Sequence, residues 1–216
     1  MGKRTRMTDQ RTLQLSKRLT WLLRHGAEKS NLPLRADGFA LFSDIIKSGN
    51  FGKSLDEEKV LQIVESDKKG RFGILRDTDG NLLIRANQGH TLKSVDREKL
   101  LTEVTDADLY PYCIHGTTLE AWNEIKTKGL RKMKRNEIHF AKGEFGTVLS
   151  GFRPGSQVLI YINLPLCLAE GIRFYESENG VLLSPGLGSD GVIPTGFFLK
   201  VITAKDQKEL EFQPSF

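Results

Sequence analysis

Leucines at 15, 19, 22 and 23 recur at the three- and four-residue spacing of one helical face and predict a helix over Leu13–Arg24. Gly26 stands where such a helix would end. Leu32 to Phe39 breaks the pattern as a loop with an Asp37-Gly38 turn, and a short helix over Ser43–Lys47 closes at Gly49–Gly52. Ser54-Leu-Asp-Glu57 has capping-box spacing and opens a helix with Val60, Leu61 and Val64 on its apolar side, ended by Lys68-Lys69-Gly70. The period then shortens to that of strands. Arg71–Arg76 and Asn81–Ala86 flank Asp77-Thr-Asp-Gly80, a strong hairpin signal.

Helices followed by a hairpin is the order of a winged-helix module. Beyond it, Arg97–Val104 is expected to be helical, and Asp106-Ala-Asp-Leu-Tyr-Pro111 carries a composition shift that marks a domain boundary. Next come a strand over Cys113–Gly116 and a helix over Thr118–Lys128 with Leu119, Trp122 and Ile125 inward, stopped by Gly129. Ile138–Ala141 and Gln157–Ile162 are strands, Gly146–Phe152 is expected as a short helix, and Leu164–Glu170 is helical. Arg173–Tyr175 and Val181–Ser184 form a hairpin about Asn179-Gly180, a type I′ candidate. Val192–Pro194 and Phe197–Thr203 finish the sheet. The expected class is α+β: residues 1–12 a mobile basic tail, 13–105 the helix-and-hairpin lobe, and 106–216 a sheet-rich lobe.

Composition narrows the chemistry. The 216 residues are 38% hydrophobic and 27% charged, as in an ordinary globular protein. A net charge of +5 favours a polyanionic partner, and Lys17, Arg18, Lys68 and Lys69 lie where a winged helix meets a phosphate backbone. Cys113 and Cys167 sit in apolar segments at no metal-ligand spacing and are expected as buried thiols; no metal is expected. No apolar run is long enough to span a membrane, so the expectation is an intracellular protein, cytoplasmic or nuclear. Neither G-x-G-x-x-G nor a P-loop is present, which excludes a Rossmann or Walker nucleotide site.

Two short segments organise the candidate chemistry: Cys113-Ile-His-Gly-Thr-Thr118 and Arg135-Asn-Glu-Ile-His-Phe-Ala141. A histidine on a strand followed by Gly116 and Thr117 suits a pocket for a phosphate-bearing ligand, and equally suits a hydrogen-bonded core histidine. Arg24 and His25, taken alone, read as cations at a helix C-terminus. Asn87-Gln-Gly-His-Thr91 either projects back toward a site or is a plain loop.

In order along the chain stand Leu15-Ser-Lys-Arg-Leu19, Leu22-Leu-Arg-His25, Ala36-Asp-Gly-Phe39, Asp67-Lys-Lys-Gly-Arg-Phe72 and Ile84-Arg-Ala-Asn-Gln-Gly-His90. The second half adds His115-Gly-Thr117, Gly129-Leu130, Met133-Lys-Arg135, Ile138-His-Phe-Ala141, Ser150-Gly-Phe-Arg153, Phe174-Tyr-Glu-Ser177 and Asn179-Gly-Val181. This ordered set resembles the RNA 2′-phosphotransferases. The resemblance implies a winged-helix RNA-binding lobe followed by a lobe of the ADP-ribosyltransferase fold. It implies catalytic roles for Arg24, His25, Arg71 and Arg135, and an NAD⁺ pocket at His115, Gly116, Thr117 and His139, with Ser150 and Arg153 beside it. The implied substrate is RNA with an internal 2′-phosphate, as in spliced tRNA. The implied intermediate is a 2′-phospho-ADP-ribosylated RNA, and a monomer is expected. The chain departs from the pattern in two places, with Glu137 where a histidine is common and Arg153-Pro154-Gly155 where Arg-His-Gly is common. Glu176-Ser-Glu178 offers a rival reading as a protein ADP-ribosyltransferase, and a non-catalytic RNA-binding protein is a second rival.

Overall fold

The computed structural model describes residues 2–153 and 155–216, with side chains from residue 10 onward. They fall into two compact units, Met1–Leu100 and Leu101–Phe216.

The first unit opens on α1 (Gly2–Trp21). The expected tail is thus helical from Gly2, because a helix once started adds a hydrogen bond per residue and needs no apolar face to continue. Met1 lies outside the described residues. Leu15, Leu19, Leu22 and Leu23 are all buried, each contributing about 1.5–3 kcal/mol relative to exposure. The helix does not stop at Gly26. It passes through a π turn, Leu22–Gly26, and a 3-10 turn, Glu28–Ser30, and ends on Asn31 in the left-handed region. β1 (Ala40–Leu41) leads into α2 (Phe42–Lys47), and α3 (Glu57–Ser66) follows.

The α3 cap is Asp56 rather than Ser54: Asp56 accepts from the Lys59 amide at 2.9 Å, while the Ser54 hydroxyl is spent on the Phe51 carbonyl. The buried side of α3 is Val60 and Ile63, with Leu61 turned outward. β2 (Phe72–Arg76) and β3 (Leu82–Ala86) form the expected hairpin, and β1 pairs on the far side of β3. The Asp77 carboxylate closes the turn by accepting from the Asp79 and Asn81 amides. α4 (Arg97–Leu100) ends the unit.

The expected helix to Val104 is cut short, because β4 (Thr102–Val104) is recruited as a strand of the second unit. The division therefore falls before Leu101 rather than after residue 105. The second unit continues with β5 (Ile114–Thr117), α5 (Leu119–Lys128), β6 (Leu130–Arg131), β7 (Ile138–Ala141), β8 (Val158–Ile162) and α6 (Leu164–Ala169). β9 (Phe174–Glu176), β10 (Val181–Ser184), β11 (Val192–Ile193) and β12 (Phe198–Thr203) complete it. Seven strands make one antiparallel sheet in the order β12-β8-β5-β7-β10-β9-β4, and β6 pairs separately with β11. Phe140, Phe174, Leu182, Ile160 and Trp122 share the main core, with the Phe140 and Phe174 rings 5.5 Å apart.

Thr118 caps α5 and Asn163 caps α6 through side-chain oxygens. The β9–β10 hairpin is present, but only Gly180, and not Asn179, has positive φ. A type I′ turn needs both, so the loop is a four-residue one closed by the Ser177 hydroxyl on the Val181 amide. The segment expected as a helix at 146–152 is turn and bend. Gly151 packs there so tightly on Ala141 that a Cβ would stand 2.5 Å from its Cα.

Cys113 and Cys167 are free, buried thiols, and burial pushes Cys167 up to about 12, so both stay protonated. Among the described residues no helix is long and apolar enough to cross a membrane. Among the same residues, no group of His, Cys, Asp and Glu is placed to hold a metal.

Candidate active site

In the first unit the π turn carries Arg24 and His25. An extra residue in a helical turn widens it and re-aims side chains, which is why such turns collect at functional positions. Here both side chains are half-buried and braced by the loop after β3. The Thr91 amide donates to the Arg24 carbonyl at 3.0 Å, and the Thr91 hydroxyl shares a 3.0 Å hydrogen bond with Nδ1 of His25. The Arg24 guanidinium lies against Gly89, where a Cβ would stand 3.3 Å from its Cζ. The loop Asn87–Thr91 therefore projects back onto the arginine–histidine pair. His90 is buried within it, its Nε2 without a hydrogen-bond partner. Burial first, then the Arg24, His25 and Arg85 charges, hold this imidazole neutral with a pKa of about 3.

Arg71 stands at the entry to β2 and is held by Asp67. The Asp67 carboxylate accepts from the Arg71 amide at 2.5 Å, from the Lys69 amide at 3.3 Å and from Nη1 of Arg71 at 2.6 Å. Its own side chain is only 4% exposed. A buried carboxylate with three such bonds is a fixed anchor, and it sets the direction of the guanidinium. Asn87 ties the same turn to the end of β3, donating from Nδ2 to the Gly70 carbonyl at 2.9 Å. Lys17, Arg18 and Lys68 are exposed on the first unit, and Lys69 is half-buried.

The second unit holds the other group. β5 pairs with β7 through a single residue pair, Ile114↔Ala141, whereas β5 pairs with β8 along its whole length. The sheet thus splits between β5 and β7 just after Ile114, and the His115 side chain occupies the split. Its Nδ1 lies 2.9 Å from the His139 carbonyl, which takes the bond that a neighbouring strand would have supplied. A carbonyl only accepts, so Nδ1 carries the proton and Nε2 is left as an acceptor. Burial, with Arg153 and Arg135 adding, lowers His115 to about 4, so this tautomer is the one present at neutral pH.

His139 is held in turn by the Glu137 carbonyl, 3.1 Å from Nδ1. Nη1 of Arg135, 3.5 Å from the same nitrogen, is a packed neighbour. Burial and the Arg153 charge together lower the Arg135 pKa, so two guanidinium groups bear on one region. Glu137 is buried at the start of β7.

Gly116 has a role the sequence did not suggest. The space a Cβ would take is filled by Ser156, whose Oγ would be 2.5 Å away, and by Phe152. Gly116 and Gly151 together seat the loop that carries Ser150 and Arg153 onto β5 and β7. Thr117 is buried, its carbonyl accepting from the Gln157 amide at 2.7 Å. Pro154, one of the departures from the pattern, lies outside the described residues.

Glu176, the first glutamate of the rival reading, is differently occupied. Glu176 accepts from the Tyr110 hydroxyl at 2.7 Å and from Lys142 at 2.5 Å. Burial and that carboxylate push Tyr110 up to about 12. Each oxygen of this carboxylate is thus taken by one donor, the Tyr110 phenol on Oε2 and the Lys142 ammonium on Oε1, which makes Glu176 a structural tie.

The first unit thus holds Arg71 on Asp67 and His25 on Thr91, and the second sets Arg135 and Arg153 near the neutral His115 imidazole. Residues 10–186 match the family described as RNA 2′-phosphotransferase, Tpt1 / KptA family. The chain is 40% identical over 202 residues to tRNA 2′-phosphotransferase 1 of Bos taurus, covering 92% of this chain and 78% of that one. It is 38% identical over 202 residues to the Homo sapiens protein of the same name, covering 92% and 79%. It is 34% identical over 173 residues to a probable RNA 2′-phosphotransferase of Rhizobium leguminosarum, covering 79% and 88%. The chain belongs to the RNA 2′-phosphotransferase family and is an enzyme of that activity.

Asn87, His90 and Thr91 belong to the loop for which a return toward a site was one of two readings of the sequence, and the structure shows that return; Asp67 is the supporting residue whose part the sequence did not suggest. An aspartate before a Lys-Lys-Gly turn has the spacing of any polar turn, so nothing local marks Asp67 as the anchor of Arg71.

Proposed function

We propose that the protein removes an internal 2′-phosphate from RNA, in particular from a spliced tRNA, by transfer to NAD⁺. The tRNA part is supported by the names of the mammalian relatives. The helix-then-hairpin order of α1, α2, α3, β2 and β3 supports a winged-helix RNA lobe. An antiparallel sheet that parts between two central strands supports an ADP-ribosyltransferase-type lobe for the rest.

The observation that carries the reading is the His115 imidazole in that split, fixed to the His139 carbonyl with its acceptor nitrogen outward and Arg135 and Arg153 beside it. An acceptor nitrogen suits a ribose hydroxyl, and paired guanidinium groups suit a pyrophosphate. The donor set therefore fits NAD⁺, with His115, Gly116, Thr117, His139, Ser150 and Arg153 as the residues that would hold it. When bound, NAD⁺ supplies an electrophilic ribose carbon and then a ribose hydroxyl that accepts the phosphate, so that nicotinamide and ADP-ribose 1″,2″-cyclic phosphate leave.

The residues of this chain do the rest. Arg24, Arg71 and Arg135 bind the phosphoryl oxygens and stabilise the charge that develops on them. A 2′-phosphomonoester needs no base to be nucleophilic, only alignment and removal of water, and fixed guanidinium groups provide the alignment. His25, oriented through Nδ1 by Thr91, hydrogen-bonds the phosphate or takes up a proton.

The test is the purified protein with a short RNA bearing one internal 2′-phosphate, with and without NAD⁺. Loss of the phosphate only with NAD⁺, with release of nicotinamide, is expected. Phosphate loss without NAD⁺, or ADP-ribose left on protein, would overturn the reading.

A further inference from the structure

Trp21 is 46% exposed, although it sits on the helix that carries the first unit's core. Its six-membered ring is seated on Gly26, where a Cβ would stand 2.4 Å from Cζ3. Gly26 does not have positive φ and the helical chain runs through it, so its value at this position is the space it leaves. The indole is thus held from one side and open on another.

Leu13 is 54% exposed, Lys17 and Arg18 are exposed, and Leu13, Lys17 and Trp21 follow one another at four-residue spacing along one face of α1. From Gln10 to His25 the chain contains Arg11, Lys17, Arg18 and Arg24 and no acidic residue. Lys17 and Arg18, the latter also lying over the Phe51 ring, stand as exposed cations beside an exposed aromatic ring, a combination that suits a single nucleic-acid strand. The cations track the backbone and the ring stacks on a base, whatever its identity.

We infer that this face of α1 binds a single-stranded RNA segment adjoining the 2′-phosphate, with Trp21 stacking on one of its bases. The inference deepens the proposed function and rests on it for the position of the phosphate. Arg24 and His25 follow Trp21 by one turn, about 5 Å along a helix. A base on Trp21 therefore belongs to a nucleotide next to the phosphate those two residues engage. The site confers affinity without sequence preference, which suits an enzyme that must recognise a phosphate rather than a base.

The chain offers its own reporter. Trp21 and Trp122 are its two tryptophans, and Trp122 is buried in the core of the second unit. Titrating the full-length protein with a single-stranded oligoribonucleotide in the absence of NAD⁺ should quench the indole fluorescence in a saturable way. Trp21→Phe should abolish the quench while keeping RNA affinity within a few-fold, since a phenyl ring still stacks. Trp21→Ala should weaken RNA binding about tenfold and raise KM for a 2′-phosphorylated RNA accordingly, with little of the loss in kcat. Replacing the neighbouring nucleotide by an abasic one should cost the wild type a similar factor and cost Trp21→Ala nothing further.

That non-additivity separates stacking from mere damage to the helix, and an unchanged melting temperature in Trp21→Phe checks the fold. An unchanged fluorescence at RNA saturation would overturn the inference, as would equal KM for wild type and Trp21→Ala. Quenching by anionic vesicles but not by RNA would assign the face to a membrane and overturn it also. Because the titration uses no NAD⁺, a quench without turnover would leave this site standing while the transfer reaction failed.

Discussion

At the scale of single residues, the side chains proposed to act are held by neighbours that fix direction and protonation. Arg135 is half-buried beside another guanidinium, an arrangement that disfavours its charge unless an anion arrives. Arg135→Ala should raise the barrier by about 3–5 kcal/mol, seen as a loss of kcat in the RNA assay with the melting temperature unchanged. Near-normal turnover would remove Arg135 from the reaction.

His115 makes a prediction in pH. Its folded pKa of about 4 lies below the ordinary 6.5, so the unfolded chain takes up the proton first as pH falls. Stability should therefore decline from about pH 6.5 toward 4, the full penalty being present below that, and His90, held near 3, acts in the same direction. His115→Asn, whose amide can still donate to the His139 carbonyl, should flatten the urea-denaturation stability across that window. An unaltered slope would mean that the ring is not buried in its neutral form.

At the scale of elements, irregularities position the chemistry. The π turn after α1 places two consecutive polar residues, Arg24 and His25, behind two consecutive buried leucines, Leu22 and Leu23. The early parting of β5 and β7 leaves a carbonyl to be met by an imidazole. The turn into β2 is built on the Asp67 carboxylate, which aims Arg71. Asp67→Asn replaces an all-acceptor group by one that also donates, so the bond to Nη1 of Arg71 and the bond to its amide cannot both persist. Turnover should fall about 100-fold, with secondary structure intact by circular dichroism. Wild-type kcat in this variant would show that Arg71 needs no aiming.

The helices, the two hairpins and most strands could be read from periodicity and turn residues. Two of the elements that differ from the expectation were decided by a distant partner. β4 became a strand because β9 offers it an edge, and the segment at 146–152 became a packed loop because Gly151 lies on Ala141.

For the whole molecule, charge is the property with a long reach. The net charge of +5, with Lys68 and Lys69 in the turn before β2, favours contact with a polyanion, and salt weakens any such contact. Replacing Lys68 and Lys69 by alanine should lower RNA affinity and reduce the salt slope by about 0.7 for each phosphate of a single strand that is no longer neutralised. The kcat at saturating RNA should change far less than in Arg135→Ala. A slope equal to the wild type's would show that these lysines only solvate the surface.

By itself the sequence determined the α+β class, the buried thiols and, through an ordered series of short motifs, the family and the residues worth testing. The class and the thiols follow from local spacing and residue chemistry, which do not depend on what lies across the fold; the family and its residues follow from the resemblance those motifs carry. Only the tertiary structure decided which nitrogen of His115 carries the proton, that Glu176 is occupied by Tyr110 and Lys142, that Asp67 aims Arg71, and that Gly26 and Gly116 make room for a tryptophan and a serine. Each of these is set by an atom more than three residues away in the chain, and no hydrophobic pattern encodes a distance between such atoms.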